Sequence, residues 1–200
     1  MGEDERIIRR AWRRTALVVL IAAIAGAVSG WATSRGEDGW TVTLAIFTCV
    51  MVLGGIAGML SLLPASVRAS ATMTEAVEGL ARDRRKIISK AIRSGVPLDE
   101  NEDPELQHRA LTLARGTAMF NGIMLGHGVM LVAAVATPQF ARAVTDDGGV
   151  TFSRVFLALF VIETAFLVPL LVVRGRRARR YAEAATAENE RRTATPVPVA

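Results

Sequence analysis

The chain has 200 residues, a formal net charge of +5, a hydrophobic content of 51% and an aromatic content of only 6%. This composition is typical of Ala-, Val- and Leu-rich membrane helices rather than of an aromatic-rich soluble core. Long apolar stretches occupy so much of the chain that little is left for a separate soluble domain.

Four apolar stretches are each long enough to cross a bilayer, which takes about 20 mostly apolar residues. Their lengths are 19, 23, 21 and 22 residues. They comprise Thr15–Thr33, Thr41–Leu63, Thr117–Thr137 and Phe152–Val173. Apart from Arg154 at the edge of the last stretch, Glu163 is the only charge inside them. We therefore predict an all-α, four-span transmembrane helical bundle.

The basic residues alternate between the connections. Residues 1–14, 65–115 and 174–200 hold 21 Lys and Arg, whereas the other connections and the start of the fourth span hold 3. Positively charged loops remain cytoplasmic. We expect both termini and the middle segment to be cytoplasmic, and we attribute the net charge to this topology and not to nucleic-acid binding.

Arginine outnumbers lysine 22 to 2, a bias typical of high-GC bacterial genomes, so we expect a bacterial plasma (inner) membrane protein. Cys49 is the only cysteine. It lies within the second span, where a thiol usually acts as a small packing residue.

The chain divides by pattern into segments that alternate between membrane and cytoplasm. Two transmembrane hairpins (1–64, with the basic N-terminal segment, and 116–173) flank a cytoplasmic helical linker (65–115). The tail (174–200) is basic at first and then expected to be disordered over its last residues, Thr193–Ala200.

The linker has helix patterns on both sides of an acidic break. We take Pro64 as the exit from the second span. One apolar stripe then follows at helical spacing: Ala69, Met73, Val77, Leu80, Ile87 and Ala91. Gly95 and Pro97 predict a stop near 96–103, and Asp103-Pro104 predicts a new helix start. That helix places Leu106, Ala110 and Leu113 on one face and runs into the third span.

The linker pattern has two interpretations. The two stripes can pack together as an antiparallel helical hairpin. Alternatively, Arg84–Arg93 forms an amphipathic helix on anionic lipid. The basic cluster Arg174–Arg180 also suits anionic headgroups, although topology alone accounts for it.

The stretch Arg93-Ser-Gly-Val-Pro97, followed by Asp103-Pro-Glu-Leu106 and Ala110, resembles the linker of small, uncharacterised multipass membrane proteins of actinobacteria. The resemblance covers about 20 residues of generic helix-stop and helix-start chemistry. It implies a multipass membrane fold, no activity and no functional residues.

His127 and Glu163 lie near the midpoints of the third and fourth spans. A charge at that depth costs at least ~2.5–3.5 kcal/mol, and a hydrogen bond between the two would offset part of it. We expect them to face each other or a shared interior cavity. The pair has a structural interpretation, as an interhelical hydrogen bond, and a functional one, as a proton relay. We expect Asn121 to form another interhelical hydrogen bond.

Small residues recur at spacings of four in three spans. Such stripes let membrane helices approach closely, within one chain or in a homo-oligomer. They are Ala22, Gly26 and Gly30, then Gly54 and Gly58, then Gly122 and Gly126.

No nucleophile with a partner, phosphate loop, paired-cysteine motif or metal-ligand set is readable. We therefore expect no enzyme, no cofactor and no metal. The leading interpretation is a non-enzymatic structural or interaction protein, or an accessory subunit of a larger membrane assembly. The alternative is a small oligomeric transporter or channel that uses the His127/Glu163 level.

Overall fold

A computed structural model describes residues 3–99, 101–145 and 150–194. Within these ranges the chain forms helices and no strand. The helices are α1 (Glu3–Thr33), α2 (Gly39–Val77), α3 (Arg82–Ser94), α4 (Pro104–Thr145) and α5 (Val150–Ala194). All except α3 contain a predicted span and are long and apolar enough to cross a membrane. The prediction of an all-α chain with four membrane-length helices is therefore confirmed.

The turn between α1 and α2 ends in a capped helix start. The backbone N–H groups of Thr41 and Trp40 donate to Asp38 Oδ1 at 3.0 and 2.9 Å, and the Thr41 hydroxyl donates to Oδ2 at 2.8 Å. These hydrogen bonds stabilise the carboxylate and lower the pKa of Asp38, and the bond from the Thr41 N–H has the largest effect. The corresponding acidic turn at Asp146-Asp147 lies outside the described residues.

Helix α2 continues through Pro64 and ends only at Val77. The break falls at residues 78–81, where Gly79 has a φ of 72°, a conformation that glycine adopts without steric cost. The predicted stripe from Ala69 to Ala91 therefore does not lie on one helix, and that expectation was wrong. The turn resets the helical phase, so that α3 buries Ile88 while Ile87 remains 42% exposed.

The acidic break and the new helix start are confirmed. Gly95 ends α3 in the left-handed conformation, and its N–H donates to the carbonyls of Ala91 and Ile92. Asp103 caps α4 through a 3.0 Å hydrogen bond from the N–H of Glu105. The helix from Pro104 then contains the whole third span.

Helix α5 also extends further than expected, through the basic cluster to Ala194. Alanines recur between Tyr181 and residue 187, and alanine has the highest helix propensity. Residues 193 and 194 of the tail expected to be disordered are therefore helical, and the remainder of that tail lies outside the described residues.

The contacts divide the chain into two compact units. Unit 1 comprises Met1–Ala65 and Ile123–Pro169, and unit 2 comprises Ser66–Gly122 and Leu170–Ala200. Each unit thus combines segments from both halves of the sequence, and α2, α4 and α5 contribute residues to both. The division into four sequence segments stays a prediction.

Unit 2 contains a hydrophobic core formed by α3, α4 and α5. Its buried members are Ile88, Ile92, Leu106, Ala110, Ala114, Ala178 and Tyr181. The predicted α4 positions Leu106 and Ala110 are among them, and Leu113 packs against the cluster. Because the apolar face of α3 is buried against protein, the structure supports the helical-hairpin interpretation of this segment.

Candidate functional site

His127 lies on α4 in unit 1, half-buried, with its two ring nitrogens in different situations. Nδ1 is 3.1 Å from the carbonyl oxygen of Ile123. A carbonyl only accepts, so Nδ1 carries the proton of this hydrogen bond. Nε2 is enclosed and has no hydrogen-bond partner among the described residues. In this tautomer, Nε2 is therefore a buried acceptor that no described residue pairs with.

Glu163 lies on α5 in unit 1 and is exposed. No residue in the most apolar window of α5 is buried. The carboxyl is surrounded along the helix by exposed apolar side chains, among which Phe166 is 75% exposed. An acidic group thus stands in the middle of an uncovered apolar helix.

The structure does not join His127 to Glu163 by a hydrogen bond. His127 uses Nδ1 within its own helix and encloses Nε2, while Glu163 remains on an exposed surface. Sequence spacing placed both residues near mid-span, but the rotation of each helix about its axis depends on its packing.

The glycines of the first span lie at a close contact between α1 and α2. A Cβ at Gly26 would lie 2.7 Å from the carbonyl oxygen of Cys49, and one at Gly30 would lie 2.5 Å from the Cα of Ile46. Backbone atoms cannot move aside as a side chain can. Only glycine therefore permits this approach, the contact that small residues provide in membrane helices. Ala22, one turn earlier, is half-buried.

The glycines of the second and third spans contribute unequally. A Cβ at Gly58 would meet Met130 Sδ at 2.6 Å, and one at Gly126 would meet the Trp12 ring at 2.8 Å. At Gly54 the nearest atom would be 3.7 Å away, and at Gly122 nothing lies within 4 Å. Gly122 therefore makes no close helix contact within the described chain.

Gly55 was not among the predicted packing residues, although a Cβ there would lie 2.5 Å from the carbonyl oxygen of Met130. Gly55 adjoins Gly54, so the spacing-of-four pattern selected the wrong member of the pair. The adjacent Gly-Gly was the available signal, because it offers close approach on two helix faces.

Two further polar groups are buried without a hydrogen-bond partner among the described residues, Thr48 Oγ1 and Asn121 Nδ2. The amide nitrogen of Asn121 therefore donates no hydrogen bond within the described residues, and the interhelical hydrogen bond expected of Asn121 stays a prediction. Asn121 belongs to unit 2, where a Cβ at Gly175 would lie 3.4 Å from its Cβ. The side chain is thus enclosed at a close approach of α4 and α5.

Unit 2 also contains a cavity of about 240 Å³ lined by His108, Tyr181, Glu188 and neighbouring residues. Burial raises the pKa of Tyr181, partly opposed by a hydrogen bond with the backbone of Leu98. Tyr181 is the only tyrosine in the chain and is 1% exposed. Its place in the core was not predicted, because it lies in a segment read as a basic tail.

No group of three or more His, Cys, Asp or Glu side chains within the described ranges is placed to hold a metal ion. Comparisons with protein-family models, with curated proteins and with solved structures find no match to this chain.

Proposed function

We propose that the chain is a four-span protein of a bacterial plasma membrane, with both termini and the segment 65–115 on the cytoplasmic side. The support is the basic asymmetry of 21 to 3 between alternate connections. The four apolar helices have the length that this topology needs.

Within that membrane, we propose a non-enzymatic role as an interaction or accessory subunit that binds a partner through one face of α5. The observation that carries this proposal is the exposed Glu163. The residues of this surface, called here the α5 face, follow one another at helical spacing along α5. The α5 face consists of Val155, Leu159, Ile162, Glu163 and Phe166, all exposed residues of unit 1.

Lipid alone is a poor environment for this face. A carboxylate at mid-membrane costs at least ~2.5–3.5 kcal/mol, and a neutral carboxyl in hydrocarbon still has polar atoms to satisfy. The described chain supplies no hydrogen bond or ion pair to Glu163. A protein partner that covers the α5 face and pairs with the carboxyl removes that cost.

Charge favours a different protein over a second copy of this chain. Two copies related by an axis along the membrane normal have equivalent residues at the same depth. Packing α5 against its own copy would therefore place Glu163 opposite Glu163. His127 cannot serve instead, because its Nε2 is enclosed. The partner we propose is a transmembrane helix with a basic or amide side chain at mid-membrane.

The test is purification of the tagged full-length protein from its native membranes in mild detergent, comparing Glu163→Leu, Glu163→Gln and Val161→Leu. Val161→Leu is the matched control, because residue 161 is exposed on α5 but off the α5 face. We expect a stoichiometric membrane protein to be retained by Val161→Leu, lost by Glu163→Leu and kept at least in part by Glu163→Gln, which still hydrogen-bonds.

Retention of the partner by Glu163→Leu would contradict the docking proposal. So would a purified protein that contains only copies of itself, joined through the α5 face. That second result would favour the alternative of a small oligomeric transporter, in which Glu163 from several copies shares protons. Within one chain that alternative has less support, because the cavity of about 490 Å³ in unit 1 is lined almost entirely by apolar side chains.

A further inference from the structure

Three arginines line one groove in unit 2. Arg93 comes from the last turn of α3, and Arg174 and Arg177 come from the part of α5 that follows the apolar span. The groove has a volume of about 730 Å³, within the range of small-molecule sites. Residues 80 or more positions apart in sequence thus meet at one surface.

The end of α3 brings Arg93 to this groove. Gly95 closes α3, and a Cβ there would lie 3.5 Å from the carbonyl oxygen of Arg177 and 3.8 Å from the Cβ of Arg180. The C-terminus of α3 therefore lies directly beside α5. Gly95 has a left-handed φ of 74°, a conformation that favours glycine. The glycine at this position therefore allows α3 to end close to α5.

The groove is positively charged without compensation. No Asp or Glu lines it. Two other arginines of unit 2 are neutralised by ion pairs, Arg84 with Asp103 at 3.3 Å and Arg109 with Glu105 at 2.8 Å. The structure records no such pair for Arg93, Arg174 or Arg177 among the described residues. Their planar guanidinium groups are suited to bidentate hydrogen bonds with phosphate.

Hydroxyl groups add donors to the same lining. Ser70 and Ser89, both exposed residues, line the groove and each carries a hydroxyl group. Thr74 and Thr117 also line it, but their hydroxyls already donate, to the carbonyl of Ser70 and to Met73 Sδ. Two serine hydroxyls therefore remain beside the three arginines.

The remaining lining is apolar and consists of Met73, Val77, Ile92 and Leu113. A site for a purely hydrophilic anion does not need such a surface. Basic and apolar linings side by side suit an amphiphile whose charged head binds arginine while its apolar part covers the aliphatic side chains.

We propose that this groove is a binding site for an anionic phosphate group, with Arg93, Arg174 and Arg177 as its ligands. Two sources share this chemistry: the headgroup of an anionic phospholipid and a soluble phosphate ester. The proposal is independent of the α5 face, because every lining residue belongs to unit 2.

The test uses the full-length protein in detergent and counts bound lipid by native mass spectrometry. The probes are phosphatidylglycerol, phosphatidylcholine and the soluble headgroup analogue glycerol phosphate. The groove variant carries Arg93→Gln, Arg174→Gln and Arg177→Gln. The matched control carries Arg82→Gln, Arg176→Gln and Arg179→Gln, which removes the same charge from α3 and α5 outside the groove lining.

We expect the unmodified protein to retain phosphatidylglycerol in preference to phosphatidylcholine. The groove variant should weaken that binding by roughly tenfold or more, and the control by less than about threefold. If glycerol phosphate binds about as well as the lipid, the source is a soluble ester; if only the lipid binds, the source is the bilayer.

Equal weakening in both variants would overturn the proposal, because it would show that binding follows net charge alone. Absence of any preference for phosphatidylglycerol, together with no binding of glycerol phosphate, would also overturn it. A size-exclusion profile checks the fold of each variant. Should the triple groove variant fail to fold, Arg174→Gln and Arg174→Lys measure the same effect singly, and lysine should restore only part of the affinity.

Discussion

Unit 1 and unit 2 hold their helices together in different ways. In unit 2, large side chains such as Tyr181, Ile88 and Leu106 are buried in a core shared by three helices. In unit 1, large side chains such as Leu20, Ile24 and Leu159 are exposed, and α1 meets α2 at glycines 26 and 30. The first pattern is that of a protein in water, where apolar burial drives packing. The second pattern is that of helices in lipid, where close backbone contact takes the place of apolar burial in holding helices together.

The largest effect should come from the core of unit 2. Tyr181→Ala removes a fully buried aromatic ring, for which large-to-small core substitutions cost about 3–5 kcal/mol. We expect faster hydrogen exchange in α3, residues 82–94, because its apolar face packs on the same core. The spans of unit 1 should keep their protection. Equal loss of protection in both units would contradict the contrast between them.

A smaller effect should follow from adding one methyl group in unit 1. In Gly30→Ala the new Cβ would lie 2.5 Å from the Cα of Ile46, and overpacking of this kind costs about 1–3 kcal/mol. We expect a lower apparent melting temperature in detergent. Gly122→Ala is the control, because its Cβ has no neighbour within 4 Å. An unchanged melting temperature in Gly30→Ala would show that the stability of the α1–α2 pair does not depend on this contact.

The smallest effect concerns pH. Burial raises the pKa of Tyr181 above its usual value of 10.0. The folded state therefore holds the phenol proton more tightly than the unfolded state does. The corresponding stability is fully present below about pH 10 and is lost as pH rises through the raised folded-state pKa. Tyr181→Phe should flatten this loss in thermal melts between pH 9 and 11. Parallel profiles for the two proteins would contradict it.

Features that depend on composition over a length of chain were predictable. The four spans follow from summed hydropathy, and the helix boundary at Gly95 and Asp103 follows from local backbone chemistry. Features that depend on rotation or phase were not. The positive φ of Gly79 resets α3 so that Ile88 is buried while the predicted Ile87 is exposed.

The candidate site shows the same limit. Spacing along the chain placed His127 and Glu163 at similar depth, but the local sequence pattern does not specify how far each helix is rotated about its own axis. The three-arginine groove was not predicted, because the two basic clusters were interpreted separately, each with lipid contact as one of two open interpretations. Their meeting requires α3 to end beside α5, a tertiary contact that local patterns do not encode.

We propose that the four apolar helices cross the membrane and that the segment 65–115, which contains α3, is cytoplasmic. Single cysteines test it most directly, at Glu37→Cys in the α1–α2 turn and Asp83→Cys in α3, in a Cys49→Ala background, with a membrane-impermeant maleimide on spheroplasts. We expect residue 37 to be labelled from outside and residue 83 to be labelled only after permeabilisation. Labelling of residue 83 in intact spheroplasts, or protection of residue 37 until they are opened, would contradict it.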